Sequence, residues 1–114
     1  MGYKIGLAEK RKKLLEEELK KILPYVIKGD VEKVILFGSL AKEKVNKKSD
    51  LDLIIIKKTK KKYMDRLDEI YSSIKSSIAV DLFVYTPSEF EEMSKKNIFI
   101  KSVLKYGKIL YERK

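Results

Sequence analysis

The hydrophobic positions in the first two thirds of this chain include two stretches with the period of an α-helix. Residues 9–23 carry leucine and isoleucine at helical spacing, which predicts an amphipathic helix that Pro24 is expected to close. A second stripe between residues 63 and 74 predicts another helix with an apolar face toward the core. The members of that second stripe are Met64, Leu67, Ile70, Tyr71 and Ile74.

Other parts of the chain have the composition of strands. Three short runs are rich in β-branched and aromatic residues and indicate strands: residues 31–37, 51–56 and 78–85. Thr86, Pro87 and Glu89 form the pattern of a helix start with a capping box, so a helix should begin there. Residues 97–106 favour helix, and residues 108–112 could form a short final strand with Ile109 and Tyr111 on one face. This order of elements predicts one layered α/β unit.

Length and composition limit the classes of protein. A chain of 114 residues builds a single core, so one domain spanning residues 1–114 is expected. The sequence has no Cys and no His, which removes disulfides, thiol nucleophiles, imidazole bases and Cys/His zinc sites. There is no apolar run long enough for a membrane span and no signal-peptide pattern, so we expect a cytoplasmic protein without a membrane segment.

The charge of the chain is strongly basic and comes almost entirely from lysine. Lys and Arg number 27 against 17 Asp and Glu, which gives a net charge of +10 at pH 7. Lysine clusters such as residues 57–62 could attract nucleotide phosphates, nucleic acid or an acidic protein, and they equally fit the solvated surface of a heat-adapted protein. Nucleic acid is not the expected partner, because arginine or aromatic residues are not interleaved with the lysines.

Two aspartates stand at the start of the second predicted strand. Side chains at i and i+2 of a strand share a face, so Asp50 and Asp52 should point the same way, directly after Ser49. Asp81 occupies a similar place in the third strand, and the three carboxylates converge if these two strands are neighbours. Like charges repel, whereas Mg²⁺ binds carboxylates together with substrate phosphates. The pattern therefore favours metal-assisted phosphoryl or nucleotidyl transfer.

A Gly-Ser pair follows the first predicted strand. Gly38 lets the backbone approach a phosphate closely, Ser39 adds a hydroxyl donor, and the residues up to Lys42 favour a helix whose first N–H groups are free. Alone this pair is also compatible with an ordinary tight turn. Together with the aspartate pair it forms a more specific pattern.

These residues resemble a known family. The segment GSLAKEKVNKKSDLDL is similar to the GSxARG...SDxDL pattern of the minimal nucleotidyltransferases, small members of the DNA polymerase beta-like superfamily. The VDLFV strand and the closing GKILYER also look like the family, and the resemblance runs from about residue 25 to the end of the chain.

The resemblance implies a nucleotidyltransferase fold with a small mixed β-sheet and helices packed on it. It implies that nucleotide is bound by Gly38, Ser39, Lys42 and Ser49, and that Asp50, Asp52 and Asp81 are catalytic and hold Mg²⁺, with two ions expected. Asp81 would also activate the acceptor hydroxyl. Family members of this size often act as antitoxins that transfer AMP from ATP to a tyrosine of a helical HEPN toxin, which is the expected reaction and partner here.

Two departures from the family pattern affect the loop after Ser39. Lys42 and Glu43 stand where Arg-Gly is usual, so the phosphate-facing charge is a point donor and a glycine turn is lost. Asn46 is expected to take over that turn. Two alternatives to protein adenylylation stay open: a binding-only antitoxin or nucleotide-binding module, and a transferase acting on RNA or a small molecule. A homo-oligomer is also compatible with the sequence.

Overall fold

Four strands form one mixed sheet between two layers of helices in the computed structural model, which describes residues 6–114. The helices are α1 (Leu7–Val26), α2 (Gly38–Ala41), α3 (Tyr63–Ser73), α4 (Pro87–Lys96) and α5 (Ile98–Tyr106). The strands are β1 (Val31–Phe37), β2 (Leu51–Lys57), β3 (Val80–Tyr85) and β4 (Lys108–Glu112). This architecture confirms the predicted α/β class with a small mixed sheet.

The strand order decides which ends of the strands meet. The order is β3-β2-β1-β4, with β1 antiparallel to both β2 and β4, and β2 parallel to β3. The parallel pair needs a crossover connection, which α3 supplies. The first residues of β2 and β3 therefore lie side by side, next to the last residues of β1.

Side chains along β2 alternate between two separate hydrophobic cores, one on each face of the sheet. Leu51, Leu53 and Ile55 point to the face that α1 and α3 cover, and all three are fully buried. Ile54 and Ile56 point to the opposite face, where α4 and α5 contribute Phe90, Ile100 and Val103. Because β2 is buried on both faces, it is an uninterrupted apolar run between Asp52 and its last residue, Lys57.

The first helix passes through the proline that was predicted to end it. Pro24 lies inside α1, which continues to Val26, so that prediction was wrong. Pro24 is exposed, so the carbonyl that loses its helical partner can be solvated. Ile22 and Val26 are one helical turn apart and both buried, and their packing favours the extra residues.

The third helix buries only part of the apolar stripe predicted for it, namely Leu67, Ile70 and the Ile74 that follows the helix. Met64 is 65% exposed and Tyr71 is 41% exposed, whereas Arg66 is buried. Arg66 donates two hydrogen bonds to the carboxylate of Glu89 and others to backbone carbonyl oxygens, and these bonds offset the cost of burying its charge. The apolar stripe was therefore only partly correct.

The predicted final strand is present, but Ile109 and Tyr111 do not share a buried face. The register of β4 against β1 shifts between the pairs Ile35–Ile109 and Val34–Tyr111, which leaves Leu110 as the extra residue of a bulge. Leu110 and Tyr111 both pack against the α1 side of the sheet, while Ile109 is 57% exposed. No helix within residues 6–114 has the length and apolar character needed to cross a membrane.

Candidate active site

Two of the predicted carboxylates lie opposite each other across the parallel pair of strands. Asp52 of β2 is the register partner of Asp81 of β3, so their side chains leave the same face of the sheet. Partial burial, followed by the charge and hydrogen bonding of Asp81 and then the charge of Asp50, raises the pKa of Asp52 to about 6. Asp52 therefore keeps its proton to a higher pH than an ordinary aspartate does.

Gly38 lies directly against one of these carboxylates, that of Asp52. β1 ends at Phe37, which is paired with Asp52, and the chain then turns into α2 with a φ of +78° at Gly38. A Cβ atom at this position would lie 2.1 Å from Oδ2 of Asp52. The glycine is required both by the backbone conformation and by the space that the carboxylate occupies. Ser39 follows directly, in the first turn of α2.

Asp50 is held by a residue that sequence analysis did not single out. Nη2 of Arg11 in α1 donates to Oδ1 of Asp50 at 3.3 Å, and Nε of Arg11 donates to the carbonyl oxygen of Ser49 at 2.7 Å. Arg11 thus links the start of α1 to the residues just before β2. Its only sequence signal is that it is one of three arginines among many lysines.

Ser49 is buried in a turn that its own side chain stabilises. Its hydroxyl accepts a hydrogen bond from the backbone N–H of Asn46 at 2.9 Å, and its backbone N–H donates to the carbonyl oxygen of Asn46 at 3.1 Å. These contacts give Ser49 a structural role in presenting Asp50 and Asp52. Its predicted contact with nucleotide stays a prediction.

Asn46 does not adopt the positive-φ conformation that glycine would supply in the family pattern. Glu43 itself adopts the left-handed conformation, with φ of 56°, and no other non-glycine residue of the described chain has positive φ. Its backbone N–H bonds to Leu40 and the next N–H bonds to Ser39, which closes the end of α2. The prediction for Asn46 was wrong because these local bonds fix the turn immediately after the helix.

Lys42 lies beside a small cavity next to Gly38. Its Nζ is 5.3 Å from the centre of the Tyr106 ring, a cation–π distance. The cavity has a volume of about 230 Å³ and is lined by Gly38, Lys42, Phe99, Ser102 and Tyr106, among others. A cation and an aromatic ring therefore flank the opening beside the carboxylates.

Three phenylalanines cluster on the face of the sheet that carries Asp52 and Asp81. Ring centres are 5.8 Å apart for Phe37 and Phe83, 5.3 Å for Phe37 and Phe99, and 5.6 Å for Phe83 and Phe99. Phe37 is paired with Asp52, and Phe83 is two residues after Asp81 on the same face. The cluster is the apolar side of the site, and sequence analysis missed it.

The donor set around Asp52 fits a hard divalent cation. Carboxylate oxygens are the protein ligands that Mg²⁺ takes, and a cation would offset the burial and the repulsion that raise the pKa of Asp52. Within residues 6–114 no three carboxylates gather closely enough to form a complete metal site. Asp52 and Asp81 are together, whereas Asp50 is paired with Arg11.

This fold and this arrangement of a glycine turn beside paired aspartates define a nucleotidyltransferase-type domain. The family model "Polymerase beta, Nucleotidyltransferase" matches residues 17–114, and the chain belongs to this family. A comparison with curated proteins gives no significant match. The chain is also similar to a crystal structure of a provisionally named nucleotidyltransferase from Sulfolobus solfataricus. The likeness covers 96% of this chain and 91% of that one, with a TM-score of 0.69. At 22% identity, that likeness shows a shared fold.

Proposed function

We propose that this protein is a Mg²⁺-dependent minimal nucleotidyltransferase that moves AMP from ATP onto a hydroxyl group. The proposed acceptor is a tyrosine of a HEPN-type toxin, for which the protein would serve as the cytoplasmic antitoxin. The observation that carries the proposal is the contact of Gly38 with Asp52, together with the pairing of Asp52 and Asp81 across β2 and β3. The glycine turn proposed to bind phosphate is therefore in contact with one of the carboxylates proposed to bind the metal ion.

The triphosphate is proposed to bind at the start of α2. Gly38 begins this helix with its backbone N–H, and Ser39 supplies a hydroxyl donor next to it. Lys42 is exposed at the end of this short helix and can turn its ammonium group from the Tyr106 ring to a phosphate oxygen. The adjoining cavity between α2 and α5 gives room for another part of the nucleotide.

The carboxylates Asp52 and Asp81 are proposed to hold Mg²⁺, with Asp50 as a further ligand. When bound, the cation would neutralise the phosphates and the negative charge that develops during transfer. Asp52 must lose its proton to serve as a ligand, and the approach of a cation favours that loss. Asp50 can contribute through the carboxylate oxygen that does not face Arg11.

The transfer itself requires little of the protein beyond positioning and one proton acceptor. The acceptor oxygen attacks the α-phosphorus in line, a new oxygen–phosphorus bond forms, and the bond to the leaving pyrophosphate breaks. Asp81 is exposed and can accept the proton of the attacking hydroxyl. The products are the nucleotidylated acceptor and pyrophosphate.

The acceptor is proposed to come from a partner protein. Asp81 is at the solvent-exposed end of β3, so a side chain from another molecule can reach it. The net charge of +10 favours association with an acidic surface. A tyrosine hydroxyl is attached to a ring that could pack on the phenylalanine cluster beside the carboxylates.

A second candidate function is neutralisation of the partner by binding alone. It is favoured by the salt bridge between Arg11 and Asp50, which occupies one of the three carboxylates, and by the position of Lys42 over an aromatic ring. In this case the site would bind nucleotide weakly or not react. The same interface with the partner would serve both functions.

The deciding experiment is the intact mass of a purified HEPN-type partner after incubation with this protein, Mg²⁺ and each nucleoside triphosphate in turn. The matched variants are Asp52→Asn and Asp81→Asn, which keep the size of each side chain and remove the charge. Asp68→Asn, at an exposed position of α3, controls for the loss of one negative charge elsewhere.

A mass gain of one or more AMP units with wild type and Asp68→Asn, absent with the two site variants, supports the transferase. Co-elution of the two proteins with no mass gain from any nucleotide would reject transfer to this partner and leave the binding function. Incorporation of label into RNA or a small molecule, with the partner unmodified, would reject the protein acceptor.

A further inference from the structure

The strand that carries Asp81 is at the edge of the sheet. Within residues 6–114, β3 pairs with β2 and has no strand on its other side. Alternate residues of a strand direct their backbone groups to opposite sides, and the carbonyl of Ala79 faces β2, where it accepts from the N–H of Leu51. Asp81 therefore also directs its backbone toward β2, while Val80 and Leu82 direct theirs to the open side.

One side chain from α3 occupies that open side next to Asp81. The hydroxyl of Tyr71 donates to the carbonyl oxygen of Val80 at 2.7 Å and accepts from the backbone N–H of Leu82 at 3.1 Å. A single oxygen thus satisfies the two edge groups that flank Asp81. It makes the contacts that a neighbouring strand would otherwise make.

We propose that Tyr71 is a positioning residue that fixes Asp81 opposite Asp52. This inference rests on the proposed function, in which these two carboxylates share a cation. Asp81 is the second residue of β3, close to the irregular connection that leads into the strand. Hydrogen bonds from β2 and from Tyr71 hold the backbone on the two sides of this strand segment. They therefore limit the movement of the Asp81 carboxylate.

The geometry separates this role from general support of the fold. The Tyr71 ring is partly exposed and belongs to neither buried core cluster, so loss of its hydroxyl removes no core packing. The remainder of the β3 edge is held independently, because Arg66 donates to the carbonyl oxygen of Val84. Removal of the Tyr71 hydroxyl should therefore loosen the first residues of β3 and leave its far end in place.

The test compares Tyr71→Phe with Tyr25→Phe in the full chain. Tyr25 is a similarly exposed tyrosine of α1 whose ring contacts Lys28, and it is distant in sequence from the edge of β3. Amide hydrogen exchange at Leu82 should accelerate about 5- to 10-fold in Tyr71→Phe, the effect of one lost hydrogen bond. Exchange at Ile54 and Ile55 of β2 should stay as in wild type, and Tyr25→Phe should change none of these amides.

The second part of the test measures metal binding. The protein is titrated with Mn²⁺ alone, and binding is monitored by the electron paramagnetic resonance signal of Mn²⁺. Tyr71→Phe should weaken Mn²⁺ binding by about 3- to 10-fold, because Asp81 is less often in place to coordinate. Asp81→Asn should weaken it as well, and Tyr71→Phe should have no additional effect in the Asp81→Asn background. That loss of additivity distinguishes action through Asp81 from an independent structural effect.

Three results would contradict the inference in different ways. Unchanged exchange at Leu82 would reject the proposed restraint on β3. Faster exchange at Leu82 with wild-type Mn²⁺ affinity, while Asp81→Asn is impaired, would reject the positioning role and keep the proposed metal site. Wild-type Mn²⁺ affinity in Asp81→Asn would reject the metal site itself, and with it the role given to Tyr71.

Discussion

Gly38 and Asp52 are packed so closely that no side chain fits between them. A Cβ atom on Gly38 would be 2.1 Å from Oδ2 and 3.0 Å from Cγ of Asp52, and the backbone of Gly38 has a φ of +78°. One glycine thus determines both the direction in which the chain leaves β1 and the position of a carboxylate on β2. The phosphate-binding and metal-binding parts of the proposed site are therefore a single structural unit.

The first prediction is that Gly38→Ala disables the site. The methyl group must displace the Asp52 carboxylate or shift the start of α2, and displacement of a catalytic group by about 1 Å costs roughly 100-fold in rate. The left-handed backbone conformation adds about 1–2 kcal/mol of destabilisation. Transfer activity and the free energy of unfolding in urea measure the two effects separately.

Gly29→Ala is the matched control for this prediction. Gly29 also has positive φ, of +66°, but a Cβ atom there would meet nothing within 4 Å. The Gly29→Ala variant should lose about 1–2 kcal/mol of folding stability from backbone strain and keep its transfer activity once folded. Equal activities for the two alanine variants would show that the contact with Asp52 does not matter.

The second prediction concerns the pH dependence that Asp52 gives to stability. Between its ordinary pKa of 3.8 and its folded value of about 6, the folded chain holds a proton at Asp52 that the unfolded chain has released. The contribution of Asp52 to the free energy of unfolding therefore falls as pH rises through this window. Asp52→Asn should be more stable than wild type at pH 8, by up to about 1 kcal/mol because the group is partly solvated.

The extra stability of Asp52→Asn over wild type should shrink as the pH is lowered from 6 to about 4. At the lower pH, Asp52 is protonated in both the folded and the unfolded chain. Urea unfolding of both proteins across pH 4–8 measures the difference in their free energies of unfolding. Titration of the other carboxylates affects both proteins equally and drops out of this difference. Asp68→Asn, on the exposed side of α3, should follow the wild-type profile. A constant difference between wild type and Asp52→Asn across this range would reject the raised pKa.

The parts of the site that sequence analysis predicted correctly depend on short-range rules. The position of Asp52 at the start of β2 and the turn at Gly38 after β1 both follow from the ends of apolar runs. The pairing of Asp52 with Asp81 needed one further condition, that β2 and β3 are neighbours, and the structure meets it. The strands and the order of elements were predictable for the same reason.

The parts that were missed depend on contacts between residues distant in sequence. Arg11 and Asp50 are 39 positions apart, and no periodic pattern relates them. Arg66 lies outside the apolar stripe predicted for α3, yet it is buried because Glu89, 23 residues later, accepts its hydrogen bonds. Hydrophobic periodicity assigns burial by residue type, so it cannot predict a charge that becomes buried with its partner.

The third prediction tests that buried charge. Arg66 links α3 to the start of α4 by two hydrogen bonds to Glu89, and it donates to the carbonyl oxygens of Lys61 and Val84. Arg66→Met keeps the length of the side chain and leaves these acceptors without their donor, so it should cost about 2–4 kcal/mol. Arg66→Lys should fall between this variant and wild type because an ammonium group cannot make the paired bonds.

Lys96→Met is the control for Arg66→Met, because it breaks an exposed ion pair with Glu92 at 3.6 Å. That change should cost less than about 0.5 kcal/mol. Midpoints of urea unfolding report all three variants. If Arg66→Met and Lys96→Met unfolded at the same midpoint, the Arg66 network would have no net stabilising effect.

The fourth prediction concerns the residue that stands where the family pattern has glycine. Glu43 adopts a φ of 56°, a conformation that costs a side-chain-bearing residue about 1 kcal/mol and that glycine adopts freely. Glu43→Gly should therefore raise the free energy of unfolding by about 0.5–1 kcal/mol. The lost contact with Lys12, at 3.8 Å between two exposed side chains, should matter little.

Glu43→Ala separates the backbone effect from the loss of that contact, because alanine keeps the strain and also removes the carboxylate. It should be no more stable than wild type, whereas Glu43→Gly should exceed both in thermal and urea unfolding. If the two variants were equally stable, the backbone conformation at residue 43 would carry no strain. The absence of glycine from this turn would then be neutral for the stability of the α2 loop.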